Sequence, residues 1–345
     1  MRYDSFADVL SHLRKSNRTA HLLLGNGFSM SYDQNIFSYN ALYNFIGSLN
    51  DETLIKLLGA VKTKNFELIM QQIDTTIALL NAFDADRALQ LKLSSASAKL
   101  KSSLLDAIKS LHPEHVFKVP VENSIACSKF LSIFLDNNGK IFTTNYDLLL
   151  YWVLMRQQVN NAIDGFGREI LNPVEVARGE EPEWSDLTWG PNKSKQNIHY
   201  VHGALPLFDT GTDVIKEEYN EEGYLLENIS KRLDAGDYPI FVTAGNGEEK
   251  LTHIRHNSYL SHCYDELANV DGSLITFGFG FGDYDTHIID AINKAAHKGS
   301  NQPPKLWSIY IGTYSESGEK RINEISNRFH TKVNTFDART VNVWG

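Results

Sequence analysis

Four short segments carry residue types that could do chemistry. In Thr143-Thr144-Asn145-Tyr146-Asp147 an amide and a carboxylate follow the apolar pair Ile141-Phe142. In open parallel sheets ligands sit outside the carboxyl ends of strands, where these two side chains would stand. An amide can hold a ribose hydroxyl or a water. A carboxylate can accept from a carboxamide or stabilise positive charge growing on a sugar. Both residue types are also good N-caps, so capping of the following helix is an equal reading of Asn145 and Asp147. In His199-Tyr200-Val201-His202-Gly203, His202 closes a short apolar segment before a glycine. Imidazole titrates near neutrality, which suits proton transfer or a polar contact to a sugar. A strand-end histidine bonded to backbone is the plainer alternative. His199 stands at an odd offset from His202, on the opposite strand face, and reads as structural.

The other two segments are rich in glycine. Gly25-Asn26-Gly27-Phe28-Ser29 directly follows the apolar run His21–Leu24. Missing Cβ atoms let backbone N–H groups approach a phosphate, with Ser29 as a further donor and Asn26 able to reach a ribose or phosphate oxygen. The dinucleotide fingerprint G-x-G-x-x-G needs glycine at position 30, where Met30 stands, and a tight turn without ligand is the alternative. Phe277-Gly278-Phe279-Gly280-Phe281-Gly282-Asp283-Tyr284-Asp285 alternates glycine with phenylalanine, a surface suited to the adenine or ribose half of a dinucleotide. Asp283 or Asp285 also reads as an N-cap for a helix beginning near Thr286. Two carboxylates make a poor magnesium site without phosphates. His253, His256, His262 and Cys263 cluster in sequence but read as ordinary helix or loop surface, so no metal is expected.

The elements that must position these residues alternate between strand and helix. Phe6, Val9, Leu10 and Leu13 share one face of a helix over 3–15. Helical spacing recurs at Leu54, Leu57, Leu58 and Val61, at Leu68, Ile69, Ile73 and Ile77, and through Leu89–Leu111. Strands are expected at His21–Leu24, Lys140–Thr143, Ile198–Val201, Tyr238–Thr243, Leu274–Phe277, Leu306–Ile311 and Thr331–Thr335. Helices are expected at Leu148–Met155, Asn257–Leu267 and 285–297. The fold class is therefore α/β, a Rossmann-like, mainly parallel sheet with helices on both faces.

With 345 residues, 42% apolar and 22% charged, the chain suits one large domain with insertions. The net charge of −9 and the lack of a long basic run leave no electrostatic footprint for nucleic acid. Two cysteines allow neither a disulfide framework nor a four-cysteine zinc module. No stretch reaches the ~20 apolar residues needed to cross a bilayer, and no secretory pattern opens the chain, so a cytoplasmic location is expected.

Taken in order, the four segments resemble the sirtuin-like superfamily, particularly bacterial sirtuin-like proteins of antiphage defence, many of which degrade NAD. The likeness runs from about Thr19 to about Ile311. It does not cover the two insertions that the residue pattern suggests, a helical one at 45–125 and an irregular or hairpin one at 158–197, within one domain expected over 1–345. It implies that Gly25, Gly27 and Ser29 meet the dinucleotide phosphates, with Asn26, Phe28, Thr144 and Asp283 completing the surface and Gly278 and Gly280 on the adenosine side. Asn145 would hold the nicotinamide ribose or attacking water, Asp147 the carboxamide region, and His202 would be the base or ribose partner. Deacylase sirtuins carry a GAG loop, a proline-bearing cofactor loop and a four-cysteine zinc ribbon. Here Asn26, Met30-Ser31-Tyr32-Asp33 and two cysteines stand instead, and Tyr146 replaces an aliphatic residue. The implied activity is thus cleavage of NAD to nicotinamide and ADP-ribose by a regulated defence effector. The alternatives are a non-catalytic NAD or ADP-ribose sensor and, last, deacylation. Homo-oligomers or a HerA-type ATPase are the implied partners.

Overall fold

The computed structural model describes residues 2–33, 52, 55, 56, 59, 66–84, 87–219, 223–242, 246–296 and 304–345. The first half runs β1 (Arg2–Tyr3), α1 (Phe6–Lys15), β2 (Ala20–Leu24), α2 (Asn26–Met30), α3 (Phe66–Ala82), α4 (Arg87–Leu111), α5 (Val121–Leu135), β3 (Ile141–Thr143) and α6 (Leu149–Arg156). Next come β4 (Phe166–Gly167), α7 (Pro173–Val176), β5 (Thr188–Trp189), β6 (Ile198–Tyr200), β7 (Gly203–Asp209), β8 (Val214–Lys216), α8 (Leu225–Ala235) and β9 (Pro239–Phe241). The chain closes with α9 (Gly247–His256), α10 (Ser258–Ala268), β10 (Gly272–Phe277), α11 (Thr286–Ala296), β11 (Leu306–Thr313), α12 (Glu316–Ile325) and β12 (Lys332–Asp337).

Seven strands form a parallel sheet in the order β1-β12-β11-β10-β2-β3-β6. Helices cover both faces, which is why the central strands read as unbroken apolar runs: Leu22, Leu23 and Leu24 are fully buried, as are Leu274 and Ile275. Each such side chain contributes about 1.5–3 kcal/mol on burial. α1 starts where Ser5 accepts from the Asp8 N–H, and it buries Phe6, Val9 and Leu13. Phe6 lies 5.9 Å from Phe130 and 6.5 Å from Phe134 (ring centroids), so α1 and α5 pack as one layer. Among the described residues no helix is long and apolar enough to cross a membrane.

The second sheet departs from the sequence reading. β9, expected among the parallel strands, pairs antiparallel with β7 in a five-stranded sheet of order β4-β5-β8-β7-β9. Its short apolar run cannot by periodicity alone reveal which sheet it joins. The expected insertion at 158–197 supplies two of these strands, β4 and β5. The expected insertion end at 125 falls inside α5, whose Cys127, Phe130, Leu131 and Phe134 belong to the main core. Leu54, Leu57, Leu58 and Val61 lie outside the described residues, as do Thr243 and Gly245.

Candidate functional site

The chain leaves β2 for β3 and β6 on one side, then crosses back to β10, β11 and β12 on the other. The crevice outside the carboxyl ends of β2 and β10 is therefore the topological switch point, where ligands bind in open α/β sheets. All four segments singled out in the sequence reach this end of the sheet.

On the β2–β10 side, two glycine segments lie backbone against backbone. The Gly25 N–H donates to the Phe277 carbonyl at 3.0 Å and the Gly27 N–H to the Gly278 carbonyl at 2.9 Å. A Cβ on Gly25 would stand 2.6 Å from the Gly278 oxygen, and one on Gly27 2.6 Å from the Gly278 Cα. Gly278 has φ +70°, and a Cβ there would meet the Phe28 nitrogen at 2.5 Å. These three glycines are thus demanded by strand-to-strand closure, whatever they do for a ligand. Gly280 differs: it is exposed, and a Cβ on it would meet nothing within 4 Å. The next residue, Phe281, holds φ +47°, a left-handed conformation unusual for a bulky side chain. Its buried ring is clamped edge-on by Phe279 at 4.7 Å and Phe329 at 5.2 Å.

On the β3 side a polar cluster is buried. Asn145 Nδ2 donates to the Gly25 carbonyl at 3.1 Å and to Ser29 Oγ at 2.9 Å. Ser29 Oγ donates in turn to Asp147 Oδ2 at 2.5 Å, and the Leu149 N–H donates to Asp147 Oδ1 at 2.9 Å. Asp147 therefore both caps the start of α6 and holds Ser29, so the capping and site readings coincide in one carboxylate. Burial pushes the Asp147 carboxyl above its usual range, partly offset by the donors Ser29 and Leu149. Both amide hydrogens of Asn145 are engaged, yet its Oδ1 is buried without a partner among the described residues. A buried acceptor left unmade costs about 1–3 kcal/mol, which a ligand or water hydroxyl would recover.

His202, read from the sequence as a strand-end residue that can point into a crevice, follows β6 and is fully buried. Its Nε2 lies 2.8 Å from the Nε2 of His287, at the start of α11. Gly203 follows at φ +75°, where a Cβ would collide with the Ile240 carbonyl at 1.9 Å, so β7 needs this glycine to lie against β9. Burial, then His287 and Lys250, lower the His202 pKa well below the ordinary imidazole value. His287 is lowered to about 3 by burial and by Lys250. Both rings are neutral at pH 7.

The remaining expected residues separate by environment. Asn26 opens α2 and is half-buried. The Phe28 side chain is core, 5.0 Å from the Trp344 ring, while Trp344 Nε1 donates to the Phe28 carbonyl at 3.0 Å. Ser29 is buried under Asn145 and Asp147 instead of being turned to a phosphate. The Thr144 N–H and hydroxyl both donate to the Leu24 carbonyl, knitting β3 to β2. Asp283 is exposed, 4.0 Å from Arg328, and Asp285 pairs with the buried Lys250 at 2.9 Å. His199 stacks on Phe142 at 4.9 Å inside the core. Sequence reasoning missed His287, Trp344 and His112, whose Nε2 accepts from the Leu148 N–H at 3.0 Å and so ties the helical region to the Asn145 segment. No local spacing signals these three, because their partners lie 36 to 316 positions away.

A family model described as a domain of unknown function, DUF4917, matches residues 22–344. The comparison with curated proteins finds no match.

Proposed function

The chain belongs to the DUF4917 family, and from the site described above we propose that it hydrolyses NAD to nicotinamide and ADP-ribose. The observation that carries this reading is the unpartnered Oδ1 of Asn145, held rigidly at the switch-point crevice by Gly25 and Ser29. An acceptor so placed suits a ribose hydroxyl or the attacking water. Cleavage of the nicotinamide–ribose bond builds positive charge on the sugar, and the leaving group needs no activation. The protein's work is to hold the ring, stabilise charge and admit water. Asp147, its oxygens fixed by Ser29 and Leu149, offers negative potential in a low-dielectric setting. His202, neutral and so carrying one bare ring nitrogen, takes the proton released as water adds to the anomeric carbon. Water supplies the oxygen, nicotinamide leaves with the bonding pair, and one proton goes to solvent. Exposed Gly280, with open space above it, suits close approach of the adenosine half.

The sirtuin-like resemblance further supports a regulated antiphage effector working in the cytoplasm, controlled by self-assembly or by a HerA-type ATPase. A second reading, a non-catalytic NAD or ADP-ribose sensor, is favoured by one observation: His202 is wholly buried against His287. Measurement of NAD loss and nicotinamide release by the purified chain, with His202→Ala beside it, separates the two. Stoichiometric release by the wild type and a loss of ~10²-fold or more in the variant is expected for the hydrolase. Bound but uncleaved NAD in both supports the sensor.

A further inference from the structure

We propose that His202 and His287 form a two-imidazole proton relay, with His287 acting through His202 as a positioning residue; this rests on the hydrolase reading above. The Nε2 atoms are 2.8 Å apart while the ring centroids are 5.0 Å apart and the planes differ by 22°. The rings therefore meet edge to edge, nitrogen against nitrogen. Two bare lone pairs at that distance repel, and two N–H groups clash, so the contact holds a single proton. Neutral imidazole carries one N–H, which makes the two rings opposite tautomers. When His202 Nε2 is the donor, its Nδ1 is a bare lone pair and His287 carries its proton on Nδ1. Both Nδ1 atoms are buried and without a partner among the described residues, the two ends of such a relay.

The charged and titratable groups around the pair keep it neutral. Lys250 and His253 come from α9, and Lys250 is ion-paired at 2.9 Å with Asp285, which precedes α11. Tyr264 of α10 donates its hydroxyl to the His287 carbonyl at 3.0 Å and fixes the start of α11. In the relay step, His202 Nδ1 accepts the proton lost by the attacking water or by the ribose hydroxyl it activates. The Nε2 proton of His202 moves to His287 Nε2, and His287 passes its Nδ1 proton to a water molecule that carries it to solvent, which is the one proton the hydrolysis releases. No electron changes hands, and each ring ends neutral in the other tautomer. A lone buried imidazole would instead have to hold positive charge beside Lys250.

The test has two arms on the full-length chain. Nitrogen-15 NMR of imidazole-labelled protein, assigned with His202→Gln and His287→Gln, reads the tautomers at neutral pH without NAD. Opposite tautomers are expected; the same tautomer in both rings, or a cationic ring, overturns the relay. In the kinetic arm, His287→Ala and His287→Gln should each lower kcat about 10- to 100-fold with KM within about twofold, the scale of a lost supporting partner behind the reacting group. Wild-type kcat in either folded variant overturns it. Absence of nicotinamide release by the wild type overturns the hydrolase reading and is distinguished from failure of the shared proton, which the NMR arm decides without NAD.

Discussion

At the carboxyl end of the parallel sheet, the β2–β10 junction and the β3–β6 edge lie side by side and solve opposite problems. The junction consists of glycines whose amides bond each other's segments and whose missing Cβ atoms leave room only for neighbouring backbone. The edge consists of Asn145, Asp147, Ser29, His202 and His287, packed as tightly but with Asn145 Oδ1 and both histidine Nδ1 atoms left without a partner among the described residues. Both regions look alike as motifs. Their difference shows that a glycine loop can be required by the fold, whereas a buried polar atom without a partner leaves a bond for a water or a ligand to make, as Asn145 Oδ1 does at the switch point and His199 Nε2 does in the core.

The sharpest way to break this comparison is at Gly278. Gly278→Ala combines a left-handed backbone with a 2.5 Å clash on the Phe28 nitrogen and should cost about 3 kcal/mol. Chemical denaturation of the variant reads this directly; a wild-type midpoint would show that the junction is loose. Ser29→Ala removes the hydroxyl that joins Asn145 to Asp147 and should cost about 2 kcal/mol, because two buried polar groups lose a partner at once. A change under 0.5 kcal/mol in the same assay would mean that water replaces the hydroxyl.

Acid should destabilise the edge through its histidines. His287 stays neutral in the native state down to about pH 3, whereas the unfolded chain protonates it near 6.5. The unfolded state binds more protons across that window, so stability falls as pH drops from 6.5 towards 3, by at most about 1.4 kcal/mol per pH unit per histidine. His202 is shifted in the same direction, and Asp147, with its pKa raised, partly opposes them at the acid end. Denaturation between pH 7 and pH 5 should show a shallower slope in His287→Gln; an unchanged slope would contradict the burial of a neutral ring. The smallest stability effect is expected at Gly280→Ala, within about 0.5 kcal/mol. Titration calorimetry with NAD should nonetheless show weaker binding, since the added methyl enters the open space assigned to the ligand.

Much of the parallel sheet was legible because its strands are apolar runs and its helices keep a 3.6-residue period: Leu22–Leu24, Leu274–Phe277 and the helix expected at Asn257–Leu267 stand as read, although Cys263, read as surface, is buried in that helix. Asn145, Asp147 and Ser29 were legible as polar residues at strand ends, and the structure brings them into one cluster. The antiparallel sheet was not, because pairing of β7 with β9 is a long-range choice that short strands do not encode locally. Nor was His287, which in sequence is one residue of an amphipathic helix and gains meaning only from His202, 85 positions earlier.

The most direct measurement is the rate of NAD hydrolysis by Asn145→Ala against the wild type, with folding checked by the denaturation midpoint. The account predicts a folded variant with activity reduced by ~10²-fold or more, since the acceptor that holds ribose or water is gone. A folded variant that hydrolyses NAD at the wild-type rate would contradict it, because the unpartnered amide oxygen would then have no part in the reaction.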